Sequence, residues 1–377
     1  MTRTVLRLSF GFFGLLVAAL WVAGAHSGAP APVPTASTGQ HAPEHQVANL
    51  GNFRFETGQV VKDFKVSYVT HGKLNKNRDN AILVMHHWGG DHHNYDFLIG
   101  PGKPFDPEKY FIIATDTLGN SKIREDVTTG PTNSGLAMDF PHYTLRDSVN
   151  LEYRLTKDYL GLERLLAVSG ISVGALKSFQ FAVSYPTYVR GVIPMMGNAA
   201  TTAQTRMIVK DWMDILTLDA GWQGGNYEIN PTTGVALLFR TLTPWVFTYA
   251  WSAANLKTPE AYRSFMQGTR NYWGPQDARD LYYQAQSWIE FNVGDTAGFN
   301  GNAHAALHSI KAKVLIIGAK DDLLFGRDDL VTIKNDIPGS VYLEIDSLAG
   351  HAACCGNDEE ANKTMGREIA SFLSRLR

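Results

Sequence analysis

Gly170-Ile171-Ser172-Val173-Gly174 sets one serine between two glycines, and its surroundings determine what that serine could do. An apolar run, 165–169, precedes it, and a helical pattern through Leu176, Phe179, Phe181, Ala182 and Val183 follows. Strand, G-x-S-x-G, helix is the context that lifts a serine hydroxyl above a sheet on a strained turn. A side chain at either glycine would crowd that turn. The hydroxyl becomes a nucleophile only when a base takes its proton, so the chemistry also requires a histidine and an orienting carboxylate. The rival reading is an ordinary Gly/Ser turn, and the downstream sequence decides between the two.

Downstream, the partners follow in the chain order Ser, Asp, His. The run 313–318 reads as a strand and ends in Ala319-Lys320-Asp321-Asp322. The next strand, 341–345, leads into Ser347-Leu348-Ala349-Gly350-His351. His351 is the expected base, because imidazole titrates near neutrality and can return the proton to a leaving group. Asp322 is the expected acid, with Asp321 the runner-up, since spacing does not separate two neighbours. An oxyanion needs preorganised N–H donors. Val173, just after the nucleophile, is one; the other is expected from Met85-His86-His87-Trp88-Gly89-Gly90, at Trp88.

The same loop could be read as a metal cluster of His86, His87, His92 and His93 with Asp91 and Asp96. Adjacent histidines do not fit the spacings that bring ligands to one helix face or to a zinc knuckle. The oxyanion role accounts for the loop better, so no metal and no cofactor is expected.

The elements that must position these residues are short apolar runs at 65–70, 81–86, 110–116, 165–169, 191–195, 313–318 and 341–345. Several are nearly continuous, as in strands buried on both faces of a parallel sheet. Helices alternate with them. Thr144-Leu145-Arg146-Asp147 resembles a capping box opening a helix that Gly161 can close, and a last helix is expected from about Asn357. The fold class is therefore α/β with a mostly parallel central sheet. Between about 197 and 308 the β-branched runs disappear, and Trp212, Trp222, Trp245, Trp251, Trp273 and Trp288 stand among helical patterns. This reads as a helical lid inserted over the carboxyl edge of the sheet. For most of the tryptophans, packing the insertion's own core is the better account.

The chain has 377 residues and a formal net charge of −2, so nothing points to electrostatic capture of nucleic acid or of an anionic membrane. Arg3 and Arg7, the apolar run to Val22 and Ala23-Gly24-Ala25 read as a signal peptide over residues 1–25. Residues 26–49 then form an Ala/Pro-rich tether, and one domain with its insertion fills residues 50–377. A periplasmic or secreted location follows, with no stable membrane insertion once the leader is removed. The two cysteines, Cys354 and Cys355, are adjacent and cannot form a disulfide framework; they read as small buried fillers.

With these residues in view, the chain resembles the homoserine O-acetyltransferase-like branch of the α/β-hydrolases from about Asn52 onward. The likeness is densest in Gly102-Lys103-Pro104-Phe105-Asp106-Pro107, in Asp116-Thr117-Leu118-Gly119-Asn120, and from Phe140-Pro141 through the elbow to Ser184-Tyr185-Pro186. Trp222-Gln223-Gly224-Gly225-Asn226-Tyr227 resembles the family's lid. By that resemblance Ser172, Asp322 and His351 form the triad, and Asp322-Leu323-Leu324-Phe325 favours Asp322 over Asp321. Departures bear on the substrate. The resemblance implies an aspartate after the catalytic histidine to pair with homoserine's amine, and here Ala352 stands there. Val173, Ala175 and His87-Trp88-Gly89 also depart from the pattern.

A buried ammonium without a counter-charge is costly. The leader points the same way, because acetyl-CoA and homoserine are cytoplasmic. The expectation is a carboxylic-ester hydrolase acting on a small-molecule ester, with an O-acyltransferase as the alternative and a catalytically idle binding protein as a third reading. A homodimer is left open.

Overall fold

The apolar runs pair into one eight-stranded sheet in a computed structural model that describes residues 44–120 and 126–376. The proposed signal peptide lies outside the described residues. In chain order the strands are β1 (Gln46–Asn49), β2 (Phe53–Arg54), β3 (Val60–Val61), β4 (Lys65–His71), β5 (Ala81–Met85), β6 (Phe111–Asp116), β7 (Leu165–Ile171), β8 (Val189–Met195), β9 (Lys313–Ala319) and β10 (Val341–Ile345). The sheet runs β1-β4-β6-β5-β7-β8-β9-β10, while β2 and β3 form a separate ribbon. The β1–β4 and β4–β6 pairs are antiparallel, and every pair from β6 through β10 is parallel.

The central strands are mostly apolar because both of their faces are covered. Leu83, Val168, Val192 and Ile316 enter one core; Ile82, Val84, Ile193, Leu315 and Ile317 enter the other. That alternation is the two-residue period of a strand between two helical layers. The first helix, Leu145–Arg154, opens with a complete capping box: Thr144 and Asp147 each satisfy the other's backbone N–H. It runs on through a π-helical turn, Leu155–Tyr159, before Gly161 at φ +64° ends it. The last helix, Glu359–Ser374, starts two residues after 357, with Asp358 as its cap.

One boundary needs correction. Residues 46–49 fall in the stretch read as tether, yet they form edge strand β1, with Val47 opposite Ser67 and Ala48 opposite Val66. The short mixed segment Gln-Val-Ala-Asn carries too little periodicity to announce a strand, and pairing with β4 supplies what propensity does not.

Between β8 and β9 the chain leaves the sheet for helices Ala203–Leu218, Thr232–Val246, Tyr249–Asn255, Pro259–Trp273, Ala278–Ile289 and Ala303–His308. Trp212, Trp222, Trp251 and Trp288 are buried in this region, whereas Trp245 and Trp273 are half-buried. Among the described residues, no helix is long and apolar enough to cross a membrane.

Candidate active site

Ser172, Asp322 and His351 come from the carboxyl ends of β7, β9 and β10, on the edge where open α/β sheets bind ligands. Ser172 sits at φ +55°, ψ −120°, directly before the helix Val173–Ser184. A non-glycine residue held there costs of order 1–3 kcal/mol. The turn is enforced from both sides. A Cβ on Gly170 would collide with the Gly174 carbonyl, and one on Gly174 would collide with the Met85 carbonyl. Ser172 N–H also donates to the Met195 carbonyl at 2.9 Å. The motif's two glycines are thus steric requirements of this packing.

From the hydroxyl the hydrogen bonds run inward. Ser172 Oγ donates to His351 Nε2 at 3.0 Å, and His351 Nδ1–H donates to Asp322 Oδ2 at 2.8 Å. Asp322 Oδ1 accepts the backbone N–H groups of Leu324 and Phe325 at 2.8 and 3.0 Å. Asp322 is buried and Asp321 is exposed, so the structure brings Asp322 to the histidine. The Asp-x-Leu-Phe run acquires a physical reason: its last two N–H groups hold the carboxylate, and the Phe325 ring packs against His351, centroids 5.4 Å apart. Burial alone would depress the imidazole's pKa, but the charge and hydrogen bond of Asp322 outweigh it and leave His351 above the ordinary 6.5.

Val173 directly follows the nucleophile, and the loop that leads to Trp88 lies against the elbow through the Met85 and His86 carbonyls. Val173 N–H is the first of its helix and has no acceptor within that helix. Trp88 follows β5, whose end packs against Gly174. Its indole is buried, stacks on Trp212 at 5.4 Å and donates to the Leu281 carbonyl. Two insertion residues clamp the next residue: Gly89 N–H donates to Gln284 Oε1 at 2.9 Å, and Gln276 Nε2 donates to the Gly89 carbonyl at 2.7 Å. Neither glutamine is marked by any local pattern, because only the fold brings them to the loop. Thr248 likewise donates to the Leu348 carbonyl, tying the insertion to the His351 turn.

The His/Asp-rich segment does not act as one cluster. His86 is buried with both nitrogens used: Nδ1–H donates to the His87 carbonyl at 2.7 Å, and Nε2 accepts Thr117 N–H at 3.3 Å. Burial, reinforced by the nearby Lys177 ammonium, pushes its pKa well down, so it is a neutral structural histidine. Lys177 itself pairs with Glu152 at 3.4 Å under the elbow helix. Asp91 caps the short turn His92–Tyr95 and accepts His93 N–H, while His93 Nδ1 meets Asp96 at 2.9 Å. Cys354 is buried and Cys355 half-buried; both thiols are free, with sulfurs 3.2 Å apart.

Comparison with known proteins agrees with this fold. Residues 80–358 match the family described as alpha/beta hydrolase fold. The ethyl acetate hydrolase of Pseudomonas veronii is 27% identical over 338 residues, spanning 87% of this chain and 95% of that protein. The homoserine O-acetyltransferase of Methanohalobium evestigatum is 38% identical over 336 residues, 78% of this chain and 67% of its own. A solved acetylester hydrolase from Corynebacterium glutamicum superposes with a TM-score of 0.80 at 25% identity, covering 88% of this chain and 96% of its own. With the elbow, the strand order and these likenesses in agreement, the chain belongs to the α/β-hydrolase fold family, in the branch that holds homoserine O-acetyltransferases and acetyl esterases, and is an acyl-transfer enzyme of that type.

Proposed function

We propose that this protein is a carboxylic-ester hydrolase working through an acyl-Ser172 intermediate. Ser172 Oγ attacks the ester carbonyl as His351 Nε2 takes its proton, and the tetrahedral oxyanion is held by the N–H groups of Val173 and Trp88. His351 then protonates the departing alcohol. Water, deprotonated by the same nitrogen, attacks the acyl-enzyme, and Ser172 regains its proton. Asp322 keeps the proton on Nδ1 and stabilises the imidazolium without taking the proton.

The observation that carries hydrolysis over transfer is Ala352, fully buried directly after His351. An amino-alcohol acceptor would bring an ammonium to a position with no counter-charge, at a steep desolvation cost. The 38% identity to a homoserine O-acetyltransferase supports the second reading, acyl transfer to an alcohol. The leader-like residues 1–25 support export, which would separate the enzyme from cytoplasmic acetyl-CoA.

The test runs p-nitrophenyl acetate and longer esters beside homoserine plus acetyl-CoA, with Ser172→Ala as control. The expected outcome is ester turnover that the variant loses, without acetylhomoserine. Thioester-dependent acetylation of homoserine would establish the transferase instead.

A further inference from the structure

On the far side of the oxyanion loop, three histidines meet. His45, immediately before edge strand β1, comes up to His92 and His93 in the turn that follows Gly90. Its ring lies 4.4 Å from that of His92, and the rings of His92 and His93 are 4.1 Å apart. Each of the three offers a ring nitrogen, and no two of these nitrogens are farther apart than 4.8 Å.

His92 has the geometry of a held ligand. Its Nδ1 faces both oxygens of Asp116 at 3.0 Å, and its backbone N–H donates to the same carboxylate at 2.9 Å. Ser67 Oγ donates to Asp116 as well, at 2.5 Å. A carboxylate on Nδ1 keeps the proton there and leaves a lone pair on Nε2. That Nε2 is buried and has no hydrogen-bond partner among the described residues, and His92 is only 3% exposed. An orphaned acceptor in a dry site should be costly. His93 repeats the carboxylate half of this pattern, its Nδ1 meeting Asp96 Oδ2 at 2.9 Å. A carboxylate behind the imidazole is the usual arrangement around metal-ligating histidines.

We propose that His45, His92 and His93 bind one divalent transition-metal ion of the class that prefers imidazole, with Asp116 and Asp96 orienting two of the three rings. Three neutral nitrogens leave a fourth position for water, as in three-histidine zinc sites. Metal–nitrogen bonds of about 2.0–2.1 Å at tetrahedral angles put ligand nitrogens about 3.4 Å apart. The set therefore closes inward by an ångström or so, which the exposed His45 side chain can supply. The ion would staple edge strand β1 to the turn that continues the oxyanion loop. The segment read from sequence as metal-free gains its third ligand from a residue outside it.

Zinc is titrated calorimetrically into the untagged, chelator-stripped protein. One equivalent should bind, with His45→Ala and His93→Ala each weakening binding at least about tenfold. His45 is exposed, so that variant should keep the melting temperature of the metal-free protein while losing the zinc-induced rise. The surface pair His304 and His308, rings 6.1 Å apart, is the competing site. A His304→Ala/His308→Ala double variant should bind as the parent does. No binding at millimolar zinc, or binding unchanged in His45→Ala, would overturn the proposal. So would cobalt spectra with thiolate charge-transfer bands, which would place the ion at Cys354 and Cys355.

Discussion

Two carboxylate–histidine pairs sit at the carboxyl edge of this sheet, and they differ in what the second ring nitrogen meets. In one, Asp322 holds Nδ1 of His351 while Nε2 receives the Ser172 hydroxyl. In the other, Asp116 holds Nδ1 of His92 while Nε2 is buried without a partner among the described residues. Both pairs are nearly dry: the side chains are 6% and 0% exposed in the first and 2% and 1% in the second. The shared half, carboxylate to Nδ1, fixes a tautomer and does no chemistry by itself. The unshared half decides function: a hydroxyl proton to take makes a general base, and an empty lone pair among other imidazoles makes a ligand.

The sharpest way to break the comparison is at the acceptor of the first pair. Ser172→Ala should cut ester turnover by about a millionfold, and adding His351→Ala should cost little more, because such residues act as one unit. Multiplicative losses in single-turnover assays would show that Ser172 and His351 do not cooperate. The carboxylate comes next. Asp322→Asn should lower kcat about 10⁴-fold by favouring the wrong tautomer. Asp321→Asn, at an exposed position, should stay within about twofold. Equal losses in both would remove the distinction the fold draws between the neighbours.

The corresponding change in the second pair is Asp116→Asn. It keeps the shape and removes the charge behind His92, so zinc affinity should drop about 10- to 100-fold in the calorimetric titration. An affinity unchanged by that substitution would mean that Asp116 orders the loop without orienting a ligand.

The two pairs were not equally legible from residues alone. Ser172, Asp322 and His351 each follow a recognisable strand: β7 and β9 are almost wholly buried and read as apolar runs, and β10, at the sheet's edge, is short but still β-rich. What remained open was local: Asp321 and Asp322 share one spacing, and only burial with the Leu324 and Phe325 N–H groups separates them. The second pair was opaque for a different reason. His45 is distant in the chain from His92, and the edge strand that follows it is four residues long with weak propensity. The glutamines that clamp Gly89 were hidden likewise, since helices of the insertion deliver them across the fold.

A pH profile tests the first pair with the smallest change to the molecule. The base must be neutral to accept the Ser172 proton, and Asp322 lifts its pKa above 6.5 against the opposing effect of burial. Ester kcat/KM should therefore rise with pH and reach half its plateau above 6.5, about tenfold lower for each unit further into acid. In the residual activity of Asp322→Asn the midpoint should move down, because burial then acts without the opposing charge. A midpoint at or below 6.5 in the parent enzyme would mean that desolvation wins. The same shift acts on stability with the opposite sense. A histidine whose folded pKa exceeds its unfolded value stabilises the fold fully below about 6.5, and that contribution is lost as pH rises through the folded pKa. Within that window the enzyme should gain rate while losing a part of its stability. Melting temperatures of parent and Asp322→Asn should therefore converge from acid toward neutral pH, apart from any constant offset.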